Sequence, residues 1–170
     1  GVIIDGKPLC GFNGAAAEIG HLPVADEEKE YCNCGKRGCL EQVASATGIV
    51  KTAVRMLSES DEPSALRDIP YISAKAVFDE AKNGDSVALK VVDYMCCYLG
   101  KGLACASGMV DTEVICIGGG VSAAGGFLLS RVEKYYKEYV FHASRNTKIL
   151  KATLGNDAGM YGAARLVLNE

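Results

Sequence analysis

The segment spanning residues 12–39 constrains this chain most, because it is long and rich in Gly, Cys and charge yet shows no helical or strand period. It carries His21, Cys32, Cys34 and Cys39 at the spacing H-x10-C-x-C-x4-C. Three thiolates and one imidazole are a ligand set that suits tetrahedral Zn²⁺. A bound metal would order this segment and contribute directly to folding. The spacing is not that of a common zinc finger, so loop cysteines without a metal remain the alternative.

The other cysteines of the chain lie in different surroundings. Cys96, Cys97, Cys105 and Cys116 fall in apolar helix or strand runs, so we expect them in the core, and we expect Cys10 to be structural. A secreted disulfide framework is the competing interpretation of eight cysteines. Such scaffolds lack a good core, whereas this chain is long and apolar enough to build one. A reducing cytoplasm, with three cysteines on a metal, fits better.

Two carboxylates flank the histidine of this segment. Glu18 precedes His21 by three residues, and Glu41 follows Cys39 by two. Zinc would hold one imidazole nitrogen and leave the other free to bind a ligand. Paired carboxylates beside a fixed imidazole suit a polyhydroxy ligand, because each oxygen accepts a hydrogen bond from a hydroxyl. For Glu41, a favourable position at a helix start is an equally good explanation.

A run of glycines, Gly118–Gly120, follows an apolar strand and precedes a helix. Glycines let the backbone approach a phosphate or nucleoside closely, and a helix N-terminus supplies free amides. Neither the P-loop spacing nor G-x-G-x-x-G is present, so a tight strand-to-helix turn remains an equal alternative.

Charge and hydropathy exclude several classes of protein. The net charge is −3, which argues against a nucleic-acid partner and against a zinc-based nucleic-acid module. No apolar run approaches the roughly 18 residues that a membrane span needs. No secretory signal is visible, and we expect a cytoplasmic protein.

Periodicity predicts an α/β protein with a mixed sheet. Asp5-Gly6 predicts a hairpin between residues 2–4 and 7–11. Further strands are predicted at 113–117 and 148–154, with a connector at 58–71. Helices are predicted at 40–57, 73–82, 86–109, 123–139 and 157–168.

Four motifs of the chain resemble those of the ROK family of repressors and sugar kinases, in the same order. They are Asn13–His21, Cys32–Glu41, Gly118–Ser122 and Leu154–Gly159. The run Ala44–Val50 resembles in particular the glucokinases of low-GC Gram-positive bacteria. This resemblance covers essentially the whole chain. It implies the ribonuclease H-like lobe of the actin-like/hexokinase ATPase fold, with a zinc-stabilised loop.

The resemblance also implies a role for each candidate residue. Glu18, His21 and Glu41 would bind sugar hydroxyls. His21, Cys32, Cys34 and Cys39 would bind a structural zinc ion, so His21 would serve both sites. Gly119 and Gly120 would contact the nucleotide. The reaction implied is phosphorylation of glucose at its 6-hydroxyl by ATP with Mg²⁺.

The chain departs from the family pattern in two ways. Ala17 stands where the family commonly has glycine. The resemblance implies that residues 1–170 correspond to the C-terminal lobe alone, so we expect the N-terminal lobe with the catalytic Asp to lie outside them and no catalytic residue within this chain. We therefore expect it to be inactive alone. The strand that would lie between the hairpin and residues 113–117 is also absent, and we expect the rest of the enzyme or a partner chain to fill that gap.

Several functions remain open after this comparison. A sugar-sensing repressor of the same family would share the zinc and sugar motifs and add a helix-turn-helix upstream. Within the kinases, the sugar could be N-acetylmannosamine, N-acetylglucosamine, fructose or allose, because no residue reads the 2-substituent directly. A homo-oligomer is also expected from the family.

Overall fold

The structure is a computed structural model that describes residues 1–168. The elements in chain order are β1 (Ile3–Ile4), β2 (Lys7–Pro8), α1 (Leu40–Ala44), α2 (Ala46–Glu59), α3 (Ala74–Lys82), α4 (Ser86–Val110), β3 (Val114–Ile117), α5 (Gly126–Tyr139), β4 (Lys148–Lys151) and α6 (Ala158–Leu168). Each predicted helix and strand has a counterpart in a mixed α/β lobe, although several bounds differ. None of the helices in this part of the chain is both long and apolar enough to cross a membrane.

Helix α4 is the centre of the core, and α1, α2, α3 and α5 all pack against it. Two glycines let its neighbours approach closely. A Cβ atom at Gly100 would lie 2.7 Å from the backbone nitrogen of Tyr136 on α5. A Cβ atom at Gly102 would lie 2.6 Å from a methyl carbon of Leu40, the first residue of α1. Because α1 follows the cysteine-rich segment directly, this packing fixes the end of that segment on the core.

The helix predicted over residues 40–57 is interrupted. Ser45 is extended (φ −84°, ψ 167°) and its hydroxyl accepts a hydrogen bond from the Gly48 amide, so it begins a second helix. Gly48 lies against the end of α1, where a Cβ atom would be 2.4 Å from the carbonyl oxygen of Gln42. The apolar spacing continues across the break, which is why periodicity alone predicts one helix.

The hairpin forms at the predicted turn. Asp5 and Gly6 both have positive φ, 50° and 76°, as a two-residue turn of this kind requires. Ile4 pairs with Lys7, and the strands are only two residues long. The sequence predicts that the second strand reaches residue 11. Beyond Pro8, however, the hairpin continues with a single hydrogen bond, from the Leu9 amide to the carbonyl of Val2.

The prediction of one mixed sheet is wrong for residues 1–168. The hairpin is one two-stranded sheet, and β3 pairs with β4 in a separate parallel sheet. Apolar side chains are left exposed on the hairpin and beside it: Ile3 is 66% exposed and Phe12 is fully exposed. The unpaired strand edges of the two sheets and these exposed side chains are what a sheet without its middle strand would present. That another strand fills this gap stays a prediction.

Two predicted boundaries, the start of the helix after the glycine run and the end of the last strand, differ from those in the structure. A 3₁₀ turn, Gly120–Ala124, separates β3 from the next helix, so α5 begins at Gly126 rather than near residue 123. Gly125, between the two, has φ 64°, which ends the turn and starts the helix in a new direction. The last strand stops at Lys151, short of residue 154.

The expectation that four cysteines lie in the core is only partly right. Cys96 is buried and Cys97 is half-buried, but Cys105 and Cys116 are exposed. Cys105 lies on the solvent face of α4, and Cys116 is on the outward face of β3, where alternate residues are exposed. Cys10 is exposed as well. All eight cysteines are free.

Candidate functional site

His21 is positioned by a short 3₁₀ turn and a bridge to the far end of the cysteine segment. The turn spans Ile19–His21, and the His21 amide donates to the Glu18 carbonyl at 3.0 Å. The next residues pair with the start of α1, where the Leu40 amide donates to the Leu22 carbonyl at 2.9 Å. This pairing brings His21 beside the last cysteine, although many residues separate them in the chain.

The cysteine loop turns back on itself at two glycines with positive φ. The Cys32 amide donates to the Lys36 carbonyl at 2.8 Å, and the Gly35 amide donates to the Cys32 carbonyl at 2.9 Å. Gly38 accepts hydrogen bonds from the backbone of residues 24 and 25. A Cβ atom at Gly38 would lie 2.8 Å from the Ala25 carbonyl oxygen, so a larger residue does not fit. Gly35 and Gly38, with φ 82° and 77°, thus make the turns that bring the cysteine sulfurs together.

The ligand atoms of His21, Cys32, Cys34 and Cys39 all lie within 4.8 Å of one another. The sulfurs of Cys34 and Cys39 are 3.5 Å apart, and His21 Nδ1 is 3.7 Å from the Cys32 sulfur. Zinc bonds of about 2.3 Å to sulfur and about 2.1 Å to nitrogen require about 3.5–3.8 Å between neighbouring ligands of a tetrahedron. The donor set and its spacing therefore fit zinc, with Nδ1 as the histidine ligand atom.

The three thiols influence one another's ionisation. The Lys36 amide and then the Cys32 thiol lower the pKa of Cys34. Burial and then the Cys34 thiol raise the pKa of Cys39. The Cys34 amide lowers the pKa of Cys32, but the Glu41 carboxylate and burial outweigh it and raise that pKa to about 12. Three thiolates this close repel one another, and a bound dication would offset the repulsion.

Glu41 lies directly beside the Cys₃His cluster. It is in the first turn of α1, and its Oε1 atom accepts a hydrogen bond from the Cys32 thiol at 2.9 Å. The same oxygen is 3.8 Å from His21 Nδ1. A small polar cavity of about 230 Å³ has Glu41 and Cys32 in its wall, together with Asn33, Thr47 and Lys51. A carboxylate thus faces open space at the edge of the cluster.

Glu18 is less closely tied to the other candidates. Its carbonyl, not its carboxylate, contacts His21, and its side chain is exposed. Neither Glu18 nor His21 lies in the wall of the cavity beside Glu41. The structure therefore brings His21 and Glu41 together with the cysteines and leaves Glu18 one 3₁₀ turn away.

The glycine run borders a second and larger cavity of about 390 Å³, between the 3₁₀ turn at Gly120 and helix α3. Its wall is mostly apolar, with Phe78 at the base, and Lys75, Asp79 and Lys82 are its charged residues. The other lining residues are Ala46, Ala74, Val121, Ala123 and Ala124. Gly120 faces this cavity, whereas Gly119 lies just before it.

Conformation explains the glycine at 119 but not the one at 120. Gly119 has φ 78°, which favours glycine in any protein. Gly120 does not have positive φ, and a Cβ atom there would have no neighbour within 4 Å. Open space beside Gly120, in the wall of a cavity, is what a ligand approaching the backbone would require.

Sequence reasoning missed two sets of residues at these sites. One is the set on α3 that borders the larger cavity, which only the fold brings to the glycine run. The other is Gln42, whose side chain accepts a hydrogen bond from the Cys39 amide at 3.0 Å. A glutamine three residues after a helix N-cap is half of a capping box, and that spacing was visible in the sequence.

A mixed α/β lobe of this kind also matches solved structures of ROK family kinases. The model of the ROK family matches residues 1–170, and the chain belongs to that family. The chain is 42% identical to a glucokinase of Halalkalibacterium halodurans, covering 98% of this chain and 52% of that protein. It is 33% identical to an N-acetylmannosamine kinase of Escherichia fergusonii, covering 100% of this chain and 53% of that protein.

Solved structures agree with this assignment. A ROK family glucokinase from Streptomyces griseus, in complex with glucose and AMPPNP, matches with a TM-score of 0.85 at 31% identity. The match covers 96% of this chain and 55% of that one. A ROK family transcriptional regulator, a homolog of the E. coli MLC protein, matches with a TM-score of 0.83 at 30% identity, covering 96% and 41%. The chain spans about half the length of the curated relatives it matches.

Proposed function

We propose that this chain is the sugar- and zinc-binding lobe of an ATP-dependent hexose kinase that phosphorylates glucose at the 6-hydroxyl. The observation that carries the proposal is the position of Glu41, whose carboxylate lies 2.9 Å from the Cys32 sulfur and 3.8 Å from His21 Nδ1. A zinc-binding loop alone does not require a carboxylate at its edge facing a cavity. A sugar site does, because carboxylates accept hydrogen bonds from hydroxyls.

His21, Glu41 and Glu18 would hold the sugar. With Nδ1 of His21 directed to the cluster, Nε2 is the nitrogen left for a sugar hydroxyl. Glu41 would accept hydrogen bonds from hydroxyls on the same side. Glu18 is exposed near His21 and would complete the set when the sugar is bound. These residues orient the sugar and do not take part in proton transfer.

His21, Cys32, Cys34 and Cys39 would hold zinc as a structural ion. Bound there, zinc contributes folding free energy to a segment that is otherwise held mainly by turns. All four protein ligands are present, which is typical of structural sites rather than catalytic ones. The role of this cluster would be to fix His21 and the start of α1, and with α1 the Glu41 carboxylate.

The nucleotide would bind at the glycine run. Gly119 and Gly120 would contact ATP, which would enter with Mg²⁺, and the apolar cavity between Gly120 and Phe78 has room for a base. Ala46, in the wall of this cavity, is five residues after Glu41. Ser45 and Thr47, in the wall of the smaller cavity, flank Ala46, so a sugar and a nucleotide bound in the two cavities would be neighbours at the break between α1 and α2.

The catalytic base would come from outside these residues. In-line attack of the sugar hydroxyl on the γ-phosphate is carried mainly by positioning and by charge stabilisation, with a carboxylate that accepts the proton. We propose that residues 1–170 are the C-terminal lobe, that a second lobe supplies this Asp, and that the chain alone turns over no sugar. We also propose that the enzyme is a homo-oligomer and acts in the cytoplasm.

Two alternatives have specific support. The similarity to an N-acetylmannosamine kinase favours a kinase for an N-acetylhexosamine or another hexose as the second candidate. The similarity to a transcriptional regulator keeps a sugar-sensing repressor as the third, because the lobe is common to both kinds of protein. A helix-turn-helix in the sequence preceding residue 1 would favour the repressor.

A coupled ADP-release assay of the longest native form of the protein tests this proposal. The substrates are glucose, N-acetylmannosamine, N-acetylglucosamine, fructose and allose, each with ATP and Mg²⁺. We expect the highest kcat/KM with glucose and no turnover by residues 1–170 alone. No turnover of any sugar by the native form, or turnover by residues 1–170 alone, would contradict the proposal.

A further inference from the structure

We infer that Gln42 is a positioning residue that holds the metal ligand Cys39 and, through α1, the carboxylate of Glu41. Both ends of its side-chain amide are used. Its Oε1 accepts a hydrogen bond from the Cys39 amide at 3.0 Å, and its Nε2 donates to the Glu30 carbonyl at 3.0 Å. Gln42 thereby joins the two ends of the cysteine loop to the helix that carries Glu41.

The hydrogen bond to Cys39 matters because it satisfies the amide of a buried residue. Cys39 is only 1% exposed, so its amide would be left without a partner if the glutamine oxygen were removed. That amide is at the start of α1, and the backbone there sets the direction of the Cys39 sulfur as well as that of Glu41 two residues later. A shift at this point would move a metal ligand and the proposed sugar ligand together.

The contact with Glu30 fixes the other side of the loop. Glu30 lies two residues before the first cysteine of the loop, and its carbonyl is the group that Gln42 binds. The Glu30 side chain is bonded separately, to Lys51, in an ion pair whose side chains are 65% and 59% exposed. An exposed pair of this kind contributes little, so the Gln42 contacts rather than the ion pair carry the positioning.

Gln42 makes no direct contact with a metal ligand atom in these hydrogen bonds, so it acts through Cys39 and Glu41. Removal of a group that hydrogen-bonds to a metal-ligating residue and orients it lowers metal affinity by about 10- to 100-fold. We therefore expect Gln42→Met, which keeps the length and loses both hydrogen bonds, to accelerate zinc release by at least about tenfold. Gln42→Glu keeps an acceptor for the Cys39 amide, and we expect release within about threefold of the parent chain.

The measurement is zinc release from the zinc-loaded chain to a chromophoric chelator in excess. Lys51→Met removes the exposed ion pair of the same region and should leave the rate unchanged. Val132→Ala removes buried side-chain volume on α5, away from the loop, and so lowers the unfolding temperature. It should also leave the rate of zinc release unchanged. An unchanged rate for Gln42→Met, a rate for Gln42→Glu as fast as for Gln42→Met, or equal acceleration by Val132→Ala would overturn the inference.

The Glu41 part of the inference rests on the proposed function, and the same variants separate the two. If the chain binds glucose, Gln42→Met should weaken that binding in zinc-loaded protein, while Gln42→Glu retains most of it. Faster zinc release from Gln42→Met with no glucose binding by any form would contradict the sugar site and leave the positioning of Cys39 supported. Glucose binding that is unchanged in Gln42→Met would overturn the Glu41 part alone.

Discussion

The carboxylate of Glu41 accepts a hydrogen bond from the thiol of Cys32 at 2.9 Å. This contact joins two features that the sequence presents separately, a metal-ligating cysteine and an acidic residue at a helix start. The two groups are held near each other, because Cys32 is buried and Glu41 lies in the first turn of α1. Zinc binding would displace the thiol proton and leave the carboxylate free to accept a hydrogen bond from another donor. Any change that disorders the cluster should therefore also displace the carboxylate of Glu41, the proposed sugar ligand.

Replacing one exposed metal ligand should remove the metal and loosen the loop. In Cys34→Ser we expect zinc content to fall from about one ion per chain to a small fraction, since tetrahedral structural sites need all four ligands. The unfolding temperature should fall with it, because zinc binding contributes to folding. Atomic emission spectrometry and thermal unfolding measure the two effects.

Cys105→Ser is the matched control, since Cys105 is also an exposed cysteine but lies on the solvent face of α4. It should keep the zinc content and unfolding temperature of the parent chain. Full zinc occupancy in Cys34→Ser, or an equal loss in both variants, would show that the cluster does not bind the ion as described.

A strained residue before the 3₁₀ turn offers a stabilising change. Ala17 has φ 61°, in the left-handed region where a side chain costs roughly 1–2 kcal/mol. Ala17→Gly should remove that cost. Because glycine also raises the conformational entropy of the unfolded chain, which offsets part of this effect, we expect a net stabilisation of up to about 1 kcal/mol. Urea unfolding measures it, and Ala16→Gly, without positive φ, should instead destabilise. Destabilisation by Ala17→Gly would contradict the strain.

The start of α4 depends on the ionised carboxylate of Asp85. It accepts hydrogen bonds from the amides of Ala88 and Ala65 and from the Ser64 hydroxyl, at 2.9, 2.7 and 3.0 Å. Burial alone would raise the pKa of Asp85, but these hydrogen bonds outweigh it and hold the pKa below its ordinary value of 3.8. Asp85→Ala should therefore cost about 1 kcal/mol of unfolding free energy at neutral pH.

The sign of the pH dependence follows from the lowered pKa. The stabilisation is fully present above the unfolded pKa and is lost as the pH falls from about 3.8 through the lower folded pKa. The difference in unfolding free energy between the parent chain and Asp85→Ala should therefore be largest at neutral pH and shrink as the pH falls below about 3.8. A difference that stays constant over this range would indicate that the carboxylate charge is not involved.

Gly120 is expected to be required by a ligand rather than by the fold. Gly120→Ala should leave the unfolding temperature nearly unchanged, because a Cβ atom there has no neighbour within 4 Å. It should weaken binding of an ATP analogue by about tenfold if the nucleotide occupies that space. Gly108→Ala, on α4 with equally open space, is the control: it should leave nucleotide binding unchanged and raise the unfolding temperature slightly, because alanine favours a helix over glycine. Unaltered nucleotide binding in Gly120→Ala would place the nucleotide elsewhere.

The metal cluster was predictable because its ligands are close in sequence and chemically distinctive. His21 and the three cysteines fall within one segment, and the glycines at 35 and 38 indicate where it turns. The hairpin was predictable for the same reason, since Asp5-Gly6 specifies its turn locally. Local signals of this kind do not depend on the rest of the fold.

Other features depend on contacts that a linear pattern does not contain. The break at Ser45 follows from the close packing of Gly48 on α1, and the apolar spacing hides it. The exposure of Cys105 and Cys116 depends on which faces of α4 and β3 meet a neighbour. The cavity beside Gly120 exists only because α3 folds next to the glycine run. Each of these required knowledge of tertiary packing.

The proposed hexose site lies at Glu41 and His21, on a loop that zinc would order. The most direct test is glucose binding to the zinc-loaded chain, measured by calorimetry or by ligand-observed NMR, in parent and Glu41→Gln forms. We expect weak but measurable binding, reduced by about tenfold or more in Glu41→Gln because a charged acceptor is lost. Both forms should still hold zinc. Equal glucose affinity in the two forms, or no binding by the zinc-loaded parent chain, would contradict the account.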